Sequence, residues 1–342
     1  MKAVVIRTPH RAFYKDEARP RPSDGQVLVK VAAAGVCMSD VEVWKGTRPQ
    51  AYVKYPIIPG HEWCGTIEEV GPGVQGLSVG QRVAVEGHNF CRACAWCRRG
   101  ETNLCASYNE HGFTLPGGFA EYAVVRADLA HGFASALSFD AAALAEPFAC
   151  VVHGVQRAKV EPGDTVVVVG PGTIGLLAVA WARLSQPARV VVVGVDRTNE
   201  AFARKMGASD YVTVGEDPAA RVRALTEGHG ADVVFEAAGN ENAVVLALDL
   251  ARRGGTVVLS GIVGGSRRMF VESDLFALKD LRVDGVFAYT TASFVEALRL
   301  IESGRLNVKP LVTHTFPLQD FEKAFDLLST RREPVVKVML RP

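Results

Sequence analysis

The sequence predicts an α/β protein of two domains, one mostly β and one built on a doubly wound parallel sheet. Its 342 residues exceed what one ordinary hydrophobic core holds. From about residue 146 to residue 286, short β-branched runs alternate with helical stretches, as in a parallel sheet covered by helices. Before that region, glycine and proline turns break up short strand-like runs, which indicates a compact β domain. We therefore predict one domain from residues 1–145 and 287–342 and a second from residues 146–286.

The predicted elements of the first domain include the strand-like runs QVLVKVAAAGV, GTIEEVG and QRVAVEG, which lie between turn-forming residues. The second domain begins with TVVVV and continues with RVVVVG, YVTV, ADVVFEAAG, GGTVVLSG and RVDGVFAY, with helical sequence between them. Apolar β-branched runs of this kind are typical of strands buried on both faces of a parallel sheet. The tail predicts a helix in HTFPLQDFEKAFDLL and a strand in PVVKVML, and we expect it to rejoin the first domain.

Composition and charge exclude several kinds of partner. The net charge is +1 and no lysine or arginine run exceeds three residues, so the sequence shows no basic surface for DNA, RNA or an anionic membrane. No apolar run approaches the roughly 18 residues of a membrane span, and the first apolar run, just before Arg7, is too short for a signal peptide. We therefore expect a cytoplasmic protein that acts on small molecules and keeps its thiols reduced.

Four of the seven cysteines lie in a lobe of about residues 88–106, with the spacing C-x2-C-x2-C-x7-C. Gaps of two residues let a tight loop turn successive sulfurs towards one point, where four thiolates can surround a zinc ion. A site whose corners are all protein sulfurs has no open position, so we predict that it is structural. An iron–sulfur cluster and four ordinary thiols are the alternatives. The predicted ligands are Cys91, Cys94, Cys97 and Cys105.

A glycine-rich turn follows the first buried strand of the second domain. The sequence GPGTIG, residues 170–175, has the form G-x-G-x-x-G between a strand and a helix. The first glycine permits a tight turn, the second lets a pyrophosphate approach the backbone, and the third lets the helix pack closely on the strand. The helix N-terminus supplies free N–H groups for phosphate. This pattern predicts a Rossmann-type dinucleotide site.

The end of the next strand indicates which dinucleotide binds. Asp196 follows the glycines by about 20 residues, where an acidic side chain suits the ribose hydroxyls of NAD and repels the extra phosphate of NADP. Arg197 could pair with that phosphate, so NAD is favoured over NADP without excluding it. The predicted cofactor-binding residues are Gly170, Gly172, Thr173, Ile174, Gly175, Asp196 and Arg197.

Three further motifs, AGVCMSD, PIIPGHEWCGT and ALAEPFACVVHG, are unremarkable singly. In this order, with the cysteine lobe and the glycine-rich turn, they resemble the zinc-dependent medium-chain dehydrogenase/reductases of the alcohol dehydrogenase superfamily over essentially the whole chain. The segments GHE, EGHNFCRACAWCRRG and EPFACVVHG are similar to the branch of polyol, sorbitol, threonine and cyclitol dehydrogenases. Enzymes for simple alcohols have a third cysteine where this chain has Glu146.

The resemblance implies a GroES-like catalytic domain beside the Rossmann domain, and one catalytic zinc ion in addition to the structural one. It implies that Cys37 and His61 bind the catalytic zinc. Glu62 and Glu146 are the carboxylate candidates, and either ligates directly or through water.

The resemblance also implies roles for two residues close to Cys37. Ser39 would relay the proton of the substrate hydroxyl, and Asp40 would orient His61 through its other ring nitrogen. Family members often carry a histidine at the outer end of this relay, where this chain has Glu42, so the relay beyond Ser39 is not carried over. The candidate catalytic residues are Ser39, Asp40, Glu62 and Glu146.

These observations together predict an oxidoreductase that converts a secondary alcohol of a polyol, sugar or cyclitol to a ketone with hydride transfer to NAD. The nearest alternative is L-threonine 3-dehydrogenase, because EGHNFC and EPF also fit that branch. The alternative from another class is a non-catalytic zinc-binding interaction protein, against which the near-neutral charge argues. The branch also implies a homodimer or homotetramer.

Overall fold

The computed structural model describes residues 1–262 and 268–342. The chain divides into two compact units. The first unit contains Met1–Ala149 and Thr290–Pro342, and the second contains Cys150–Tyr289.

The strands are numbered in chain order. They are β1 (Lys2–Thr8), β2 (Arg11–Asp16), β3 (Gln26–Val36), β4 (Glu62–Val70), β5 (Arg82–Val85), β6 (His88–Asn89), β7 (Asn109–Glu110), β8 (Tyr122–Arg126), β9 (Ala130–Gly132), β10 (Thr165–Val169), β11 (Arg189–Gly194), β12 (Asp210–Thr213), β13 (Ala231–Glu236), β14 (Ala251–Leu259), β15 (Arg282–Gly285), β16 (Val312–Pro317) and β17 (Lys337–Arg341).

The α-helices are numbered in the same way. They are α1 (Met38–Lys45), α2 (Ala95–Arg98), α3 (Phe139–Ala143), α4 (Ala145–Ala158), α5 (Thr173–Ala182), α6 (Glu200–Met206), α7 (Pro218–Leu225), α8 (Glu241–Leu250), α9 (Asp274–Lys279), α10 (Thr291–Glu302) and α11 (Phe321–Thr330).

The main sheet of the first unit is built around the long strand β3. Its strand order is β16-β17-β3-β4-β5-β9. One edge of β3 pairs with β4, while its other edge pairs with β8 over residues 26–30 and with β17 over residues 34–36. The C-terminal segment is therefore part of this sheet, because β17 lies antiparallel to β3. Pairing across almost the whole sequence brings residues from both ends of the chain side by side.

The second unit contains a parallel sheet in the order β12-β11-β10-β13-β14-β15. All five neighbouring pairs are parallel. The strand order reverses at β10, and in sheets of this type ligands bind outside the carboxyl ends of the strands at such a switch point. The central strands β10, β11 and β13 are valine-rich and almost entirely buried, as in a parallel sheet with helices on both faces. This arrangement confirms the predicted α/β class with a doubly wound sheet.

Each unit has its own apolar core. In the first, Trp63 on β4 and Phe325 on α11 are buried with aliphatic residues of β3 and β17. In the second, the valines of β10, β11 and β13 pack with the apolar residues of α8. In helix α10, Phe294, Leu298 and Ile301 recur at helical spacing and lie on one buried face, which is the pattern of an amphipathic helix. In the part of the chain that the structure describes, none of the helices combines the length and apolar character that crossing a bilayer requires.

Candidate active site and metal centres

The four-cysteine lobe brings its sulfurs together around the short helix α2. The four Sγ atoms lie within 4.8 Å of one another. Cys97 Sγ lies 3.5 Å from Cys94 Sγ and 3.9 Å from Cys91 Sγ. A tetrahedron with zinc–sulfur bonds of about 2.3 Å has sulfurs about 3.8 Å apart, so this arrangement fits a zinc ion.

Backbone N–H groups also point at these sulfurs. Ala93 N and Cys94 N donate to Cys91 Sγ at 3.4 and 3.3 Å, and Ser107 N donates to Cys105 Sγ at 3.3 Å. Such donors stabilise negative charge, and backbone hydrogen bonds lower the pKa of Cys94 to about 6. The lobe thus favours the thiolate at Cys94, whereas burial and hydrogen bonds with Cys94 and Cys105 raise the pKa of Cys97, so a metal bound by four thiolates would displace the proton of Cys97.

The second metal-ligand group gathers residues from separate elements. Cys37 stands immediately before α1, His61 immediately before β4, and Glu62 is the first residue of β4. Their ligand atoms lie within 4.8 Å of one another. A thiolate, an imidazole and a carboxylate are donors that zinc accepts, so the chemistry of the set fits this metal.

Asp40 fixes the relative positions of the segments that carry Cys37 and His61. Its carboxylate is fully buried and accepts hydrogen bonds from Cys37 N at 2.9 Å and Gly60 N at 3.1 Å. The first of these bonds closes the N-terminal turn of α1, and the second holds the chain before His61. Its Oδ1 also lies 3.5 Å from His61 Nδ1, which leaves the other ring nitrogen to face a metal.

The environment of His61 favours positive charge on or beside the ring. Burial lowers the pKa of His61, but the negative charge of the nearby Asp40 and the contacts of the ring with Asp40 and Cys37 outweigh this effect and raise the pKa. Among the described residues, the buried Nδ1 has no hydrogen-bond partner at its 3.5 Å separation from Asp40. A metal ion takes the place of a proton at such a ring, so the site that favours imidazolium also favours a bound cation.

Glu62 is held by a residue that sequence reasoning did not select. Lys337 Nζ, on β17, donates to both carboxylate oxygens of Glu62 at 2.7 and 2.6 Å, and to Val36 O at 3.2 Å. Both side chains are buried. The charge of Glu62 therefore has a partner within the protein.

Gly35 explains how the pair can form. On β3, Gly35 lies opposite Glu62 of β4 on one side and Met339 of β17 on the other. A Cβ at Gly35 would lie 2.2 Å from Glu62 Oε2. The missing side chain thus leaves the space in which Glu62 and Lys337 meet across the central strand.

Glu146 lies beside the ligand group, in the first turn of α4. It is buried, although it is not among the residues whose ligand atoms all lie within 4.8 Å of one another. A Cβ on Gly87 would lie 3.3 Å from His61 Cβ and 3.4 Å from Glu146 Oε1. Gly87 is therefore next to both His61 and the Glu146 carboxylate, and the charge of Glu146 contributes to the raised pKa of His61. Ser39 Oγ is 3.7 Å from Cys37 Sγ, which places it next to the group as well.

Two sequence signals could have identified the missed residues. A lysine inside the apolar run PVVKVML requires a buried partner for its charge, which points to Lys337. A glycine inside the strand QVLVKVAAAGV marks a close approach, which points to Gly35. Neither signal names the partner, because Lys337 and Glu62 are 275 residues apart.

The glycine-rich turn has the geometry that each glycine position requires. Gly170 has φ +102°, and a Cβ there would lie 2.7 Å from Ala238 N. A Cβ on Gly175 would lie 1.9 Å from Gly170 O, so only glycine lets α5 pack on the turn. Gly172 faces open space, with no atom within 4 Å of an added Cβ. The open position, at the N-terminus of α5, suits an approaching pyrophosphate, and Thr173 and Ile174 begin that helix.

The two residues after β11 differ in how their charges are used. Asp196 accepts a hydrogen bond from Thr198 N at 2.8 Å, and bonding to Thr198 holds the pKa of Asp196 below its usual range. Arg197 is bound to Glu200 and Glu216, each at 2.7 Å. Two N–H groups of the guanidinium thus pair with carboxylates of the same unit, while the lowered pKa of Asp196 favours its ionised form.

Comparison with known proteins agrees with both halves of this description. The family model described as the alcohol dehydrogenase GroES-like domain matches residues 23–135, and the one described as zinc-binding dehydrogenase matches residues 173–303. An erythritol/L-threitol dehydrogenase of Mycolicibacterium smegmatis is 34% identical, over 100% of this chain and 98% of its own length. A sorbitol dehydrogenase of Halalkalibacterium halodurans is 33% identical, over 100% of this chain and 99% of its own.

Solved structures show the same fold. A zinc-binding dehydrogenase of Sinorhizobium meliloti bound to NADP has a TM-score of 0.92 at 29% identity, and covers 100% of this chain and 99% of its own. A protein of Escherichia coli CFT073 described as a short chain alcohol dehydrogenase, in complex with NADH, has a TM-score of 0.93 with the same identity and coverage. The chain therefore belongs to the zinc-dependent medium-chain dehydrogenase/reductase family, in its polyol dehydrogenase branch.

Proposed function

We propose that this chain oxidises a secondary hydroxyl group of a polyol, sugar or cyclitol to a ketone and passes the hydride to NAD. The observation that carries the proposal is the convergence of Cys37, His61 and Glu62, with Glu146 beside them. A glutamate where simple-alcohol enzymes have a third cysteine gives a harder donor set, which suits oxygen-rich substrates. The names of the two relatives above refer to polyols, erythritol or threitol and sorbitol.

The chain's own residues have distinct roles in this proposal. When bound, zinc supplies a Lewis acid for the substrate oxygen, and NAD accepts the hydride. Ser39, beside Cys37, would accept the hydroxyl proton of the substrate while passing its own proton to the cofactor ribose, and so act as a relay. Asp40 keeps the segments of Cys37 and His61 in register and favours positive charge at the His61 ring.

The two candidate carboxylates divide the work between them. Because Lys337 binds both oxygens of Glu62, ligation by Glu62 would require breaking a buried ion pair. Glu146 lies close enough to His61 for its charge to raise the pKa of that ring, and it stands where simple-alcohol enzymes have a third cysteine. We therefore assign direct ligation to Glu146, and to Glu62 the placement of negative charge behind the site.

The preference for NAD is supported by the charges that follow β11. Asp196 is kept ionised, and the arginine that could bind the extra phosphate of NADP already pairs with Glu200 and Glu216. An approaching phosphate would meet the carboxylates of Asp196, Glu200 and Glu216. The one cation among them, Arg197, already pairs with two of these carboxylates. The extra phosphate would thus be repelled rather than bound.

The reaction class is tested by a kinetic screen in which formation of reduced cofactor is followed by its absorbance. The panel contains erythritol, sorbitol, xylitol, a cyclitol, an amino sugar, L-threonine and ethanol, each with NAD and NADP. We expect a polyol or cyclitol to have a kcat/KM at least about 100-fold above ethanol. Threonine as the best substrate would favour the alternative enzyme. No turnover of any alcohol by protein carrying two zinc ions would contradict the proposal.

The cofactor preference is tested by the dissociation constants of NADH and NADPH, measured by fluorescence with zinc-loaded protein and no substrate. We expect NADH to bind at least about tenfold more tightly, the equivalent of one charge contact of about 1.4 kcal/mol. D196S alone should improve NADPH binding little, because Arg197 stays paired. D196S/E200Q/E216Q should improve it further. Equal affinities in the unmodified protein would overturn the preference for NAD.

The family also supports a homodimer or homotetramer and a cytoplasmic protein, both of which stay predictions. The mass in solution, measured by light scattering on the zinc-loaded protein, tests the first of them. A monomer at micromolar concentration would contradict it.

A further inference from the structure

A compact group of charged side chains lies next to the ligand group and has no role so far. Glu42 projects from α1, Arg48 from the loop after that helix, and Glu110 from the end of β7. All three side chains are mostly buried. The Arg48 guanidinium lies 4.0 Å from the centre of the Phe113 ring, and that ring lies 4.8 Å from the ring of His61. One aromatic ring therefore separates Arg48 from a predicted zinc ligand.

The three charges are close but not joined by hydrogen bonds of normal length. Arg48 Nη1 is 3.6 Å from Glu42 Oε2, and Nη2 is 3.8 Å from Glu110 Oε2. Charged N–H···O bonds are about 2.7–2.9 Å long, so both pairs are too far apart. Within residues 1–262 and 268–342, the buried Nε of Arg48 also has no hydrogen-bond partner. Burial raises the pKa of both carboxyl groups. The charge of Arg48 partly opposes this effect at Glu42, and the charges of His61 and Arg48 and a hydrogen bond with Tyr108 partly oppose it at Glu110.

A hydroxyl group can join these partners after a small movement of the side chains. An oxygen about 2.8 Å from both partners, accepting from an Arg48 N–H and donating to a carboxylate at a normal angle, holds them about 4.3–4.9 Å apart, so each pair, now 3.6–3.8 Å apart, would open by about 1 Å. Only a group that both donates and accepts satisfies the two sides at once. A carboxylate or phosphate oxygen accepts but does not donate, and it would be repelled by Glu42 and Glu110.

We propose that Arg48, Glu42 and Glu110 form a subsite for a hydroxyl group of the substrate away from the reacting carbon, and thereby select neutral polyols over sugar acids and sugar phosphates. This inference rests on the proposed function, since it concerns the same substrate. It adds which side chains recognise the remaining hydroxyls and which charge of substrate they reject. Phe113 is fully buried and keeps Arg48 at a fixed distance from His61.

The test compares substrates with and without a distal hydroxyl in the zinc-loaded enzyme. 2,3-Butanediol has only two hydroxyl groups, one on the reacting carbon and one on the carbon beside it. Erythritol and sorbitol carry further hydroxyl groups. We expect R48M to lower kcat/KM for the polyols by about 10- to 100-fold, the effect of losing a hydrogen bond to a charged group, mainly through KM. Its kcat/KM for 2,3-butanediol should change less than about twofold. K45M, which removes an exposed cation of α1 nearby, is the matched control and should alter neither.

A second variant tests whether the subsite selects substrates by their charge. E110Q keeps the shape and one acceptor of Glu110 but removes its repulsion, so its activity on a sugar acid relative to the neutral polyol should rise about tenfold or more. If R48M does not fold, R48K provides the same comparison, because its ammonium keeps the charge but lacks the planar fork.

Each failure has a different signature. If R48M lowers turnover of 2,3-butanediol and polyols equally, Arg48 supports His61 through Phe113 and the subsite is wrong. Unchanged kinetics with every substrate would show that only water occupies the group. If the unmodified enzyme turns over 2,3-butanediol but no polyol, the polyol part of the proposed function fails and the subsite with it. No turnover at all would overturn the reaction class first.

Discussion

At the scale of single residues, the buried ion pair between Lys337 and Glu62 affects both the stability of the first unit and the charge beside Cys37 and His61. Two oxygens of one carboxylate meet one ammonium group at 2.6–2.7 Å, with Val36 O as a third acceptor. Such a pair is weak support for stability as a whole, but removing one partner leaves a buried charge with nothing to balance it. The pair also keeps a carboxylate next to Cys37 and His61.

We expect K337M to lower the free energy of unfolding by about 3–5 kcal/mol, because the Glu62 carboxylate is left buried and unpaired. The double variant E62Q/K337M should recover part of that loss, since it removes both charges. Urea unfolding of zinc-loaded protein measures both. K323M, at an exposed lysine of α11, should change stability by less than about 0.5 kcal/mol. A K337M loss as small as that of K323M would show that the ion pair is not formed.

Gly35 is the second residue on which the site depends. An alanine there would place Cβ 2.2 Å from Glu62 Oε2, so the carboxylate or the strand must move. We expect G35A to cost about 1–3 kcal/mol of stability, as for other overpacked sites, and to lower kcat/KM by disturbing Glu62. The strand glycine Gly285, where an added Cβ would meet no atom within 4 Å, is the control. Thermal unfolding and the kinetic screen compare the two, and equal behaviour of G35A and G285A would refute the close approach.

At the scale of elements, the cysteine lobe and the segments around α1 carry separate jobs. The lobe is a loop with one short helix, so a zinc ion bound by four sulfurs would supply much of its folding energy. The segments of Cys37 and His61, by contrast, are held by the sheet and by Asp40. Loss of metal from the cysteine lobe should therefore affect folding, and loss of metal from the site of Cys37 and His61 should affect activity.

C97S should remove one zinc ion per chain and lower the unfolding midpoint by roughly 5–10 °C, about 2–3 kcal/mol for a domain of this size. The folded fraction should keep its turnover number. C37S should do the reverse, with little loss of stability and no activity. Metal analysis, calorimetry and turnover per folded chain measure the two variants. A C97S protein that melts normally yet is inactive would exchange the assignments of the two metal centres.

How far the sequence predicts each element depends on how local its determinants are. The glycine-rich turn and the cysteine spacing lie within a few residues, so their pattern indicates their geometry directly. The strand RVDGVFAY is predicted to continue to Tyr289 but ends at Gly285, and Ala288 takes a left-handed conformation with φ 47° that no composition rule indicates. The pairing of Glu62 with Lys337 depends on β17 lying beside β3, a contact between distant parts of the chain that local patterns do not contain.

At the scale of the whole molecule, the two units differ in how the chain builds them. The second unit is a single continuous segment with its own core and its own glycine-rich turn. The first unit is discontinuous. Residues 290–342 supply β16 and β17 to the sheet built around β3, and α11 to the core of that unit. A continuous unit can fold without the rest, whereas the first needs both ends of the chain to be present.

We therefore expect a chain that ends at Tyr289 to keep the second unit and lose the first. Without β17, part of one edge of β3 is unpaired, Phe325 is missing from the core and Glu62 loses Lys337. A buried carboxylate without a partner and an open core leave too little to offset chain entropy. Limited proteolysis with mass spectrometry should find a protected fragment close to residues 150–289, which still binds NADH, while residues 1–149 are degraded. The full-length protein under the same protease should protect both. Survival of a folded 1–149 fragment would mean that the first unit is stable without the C-terminal strands.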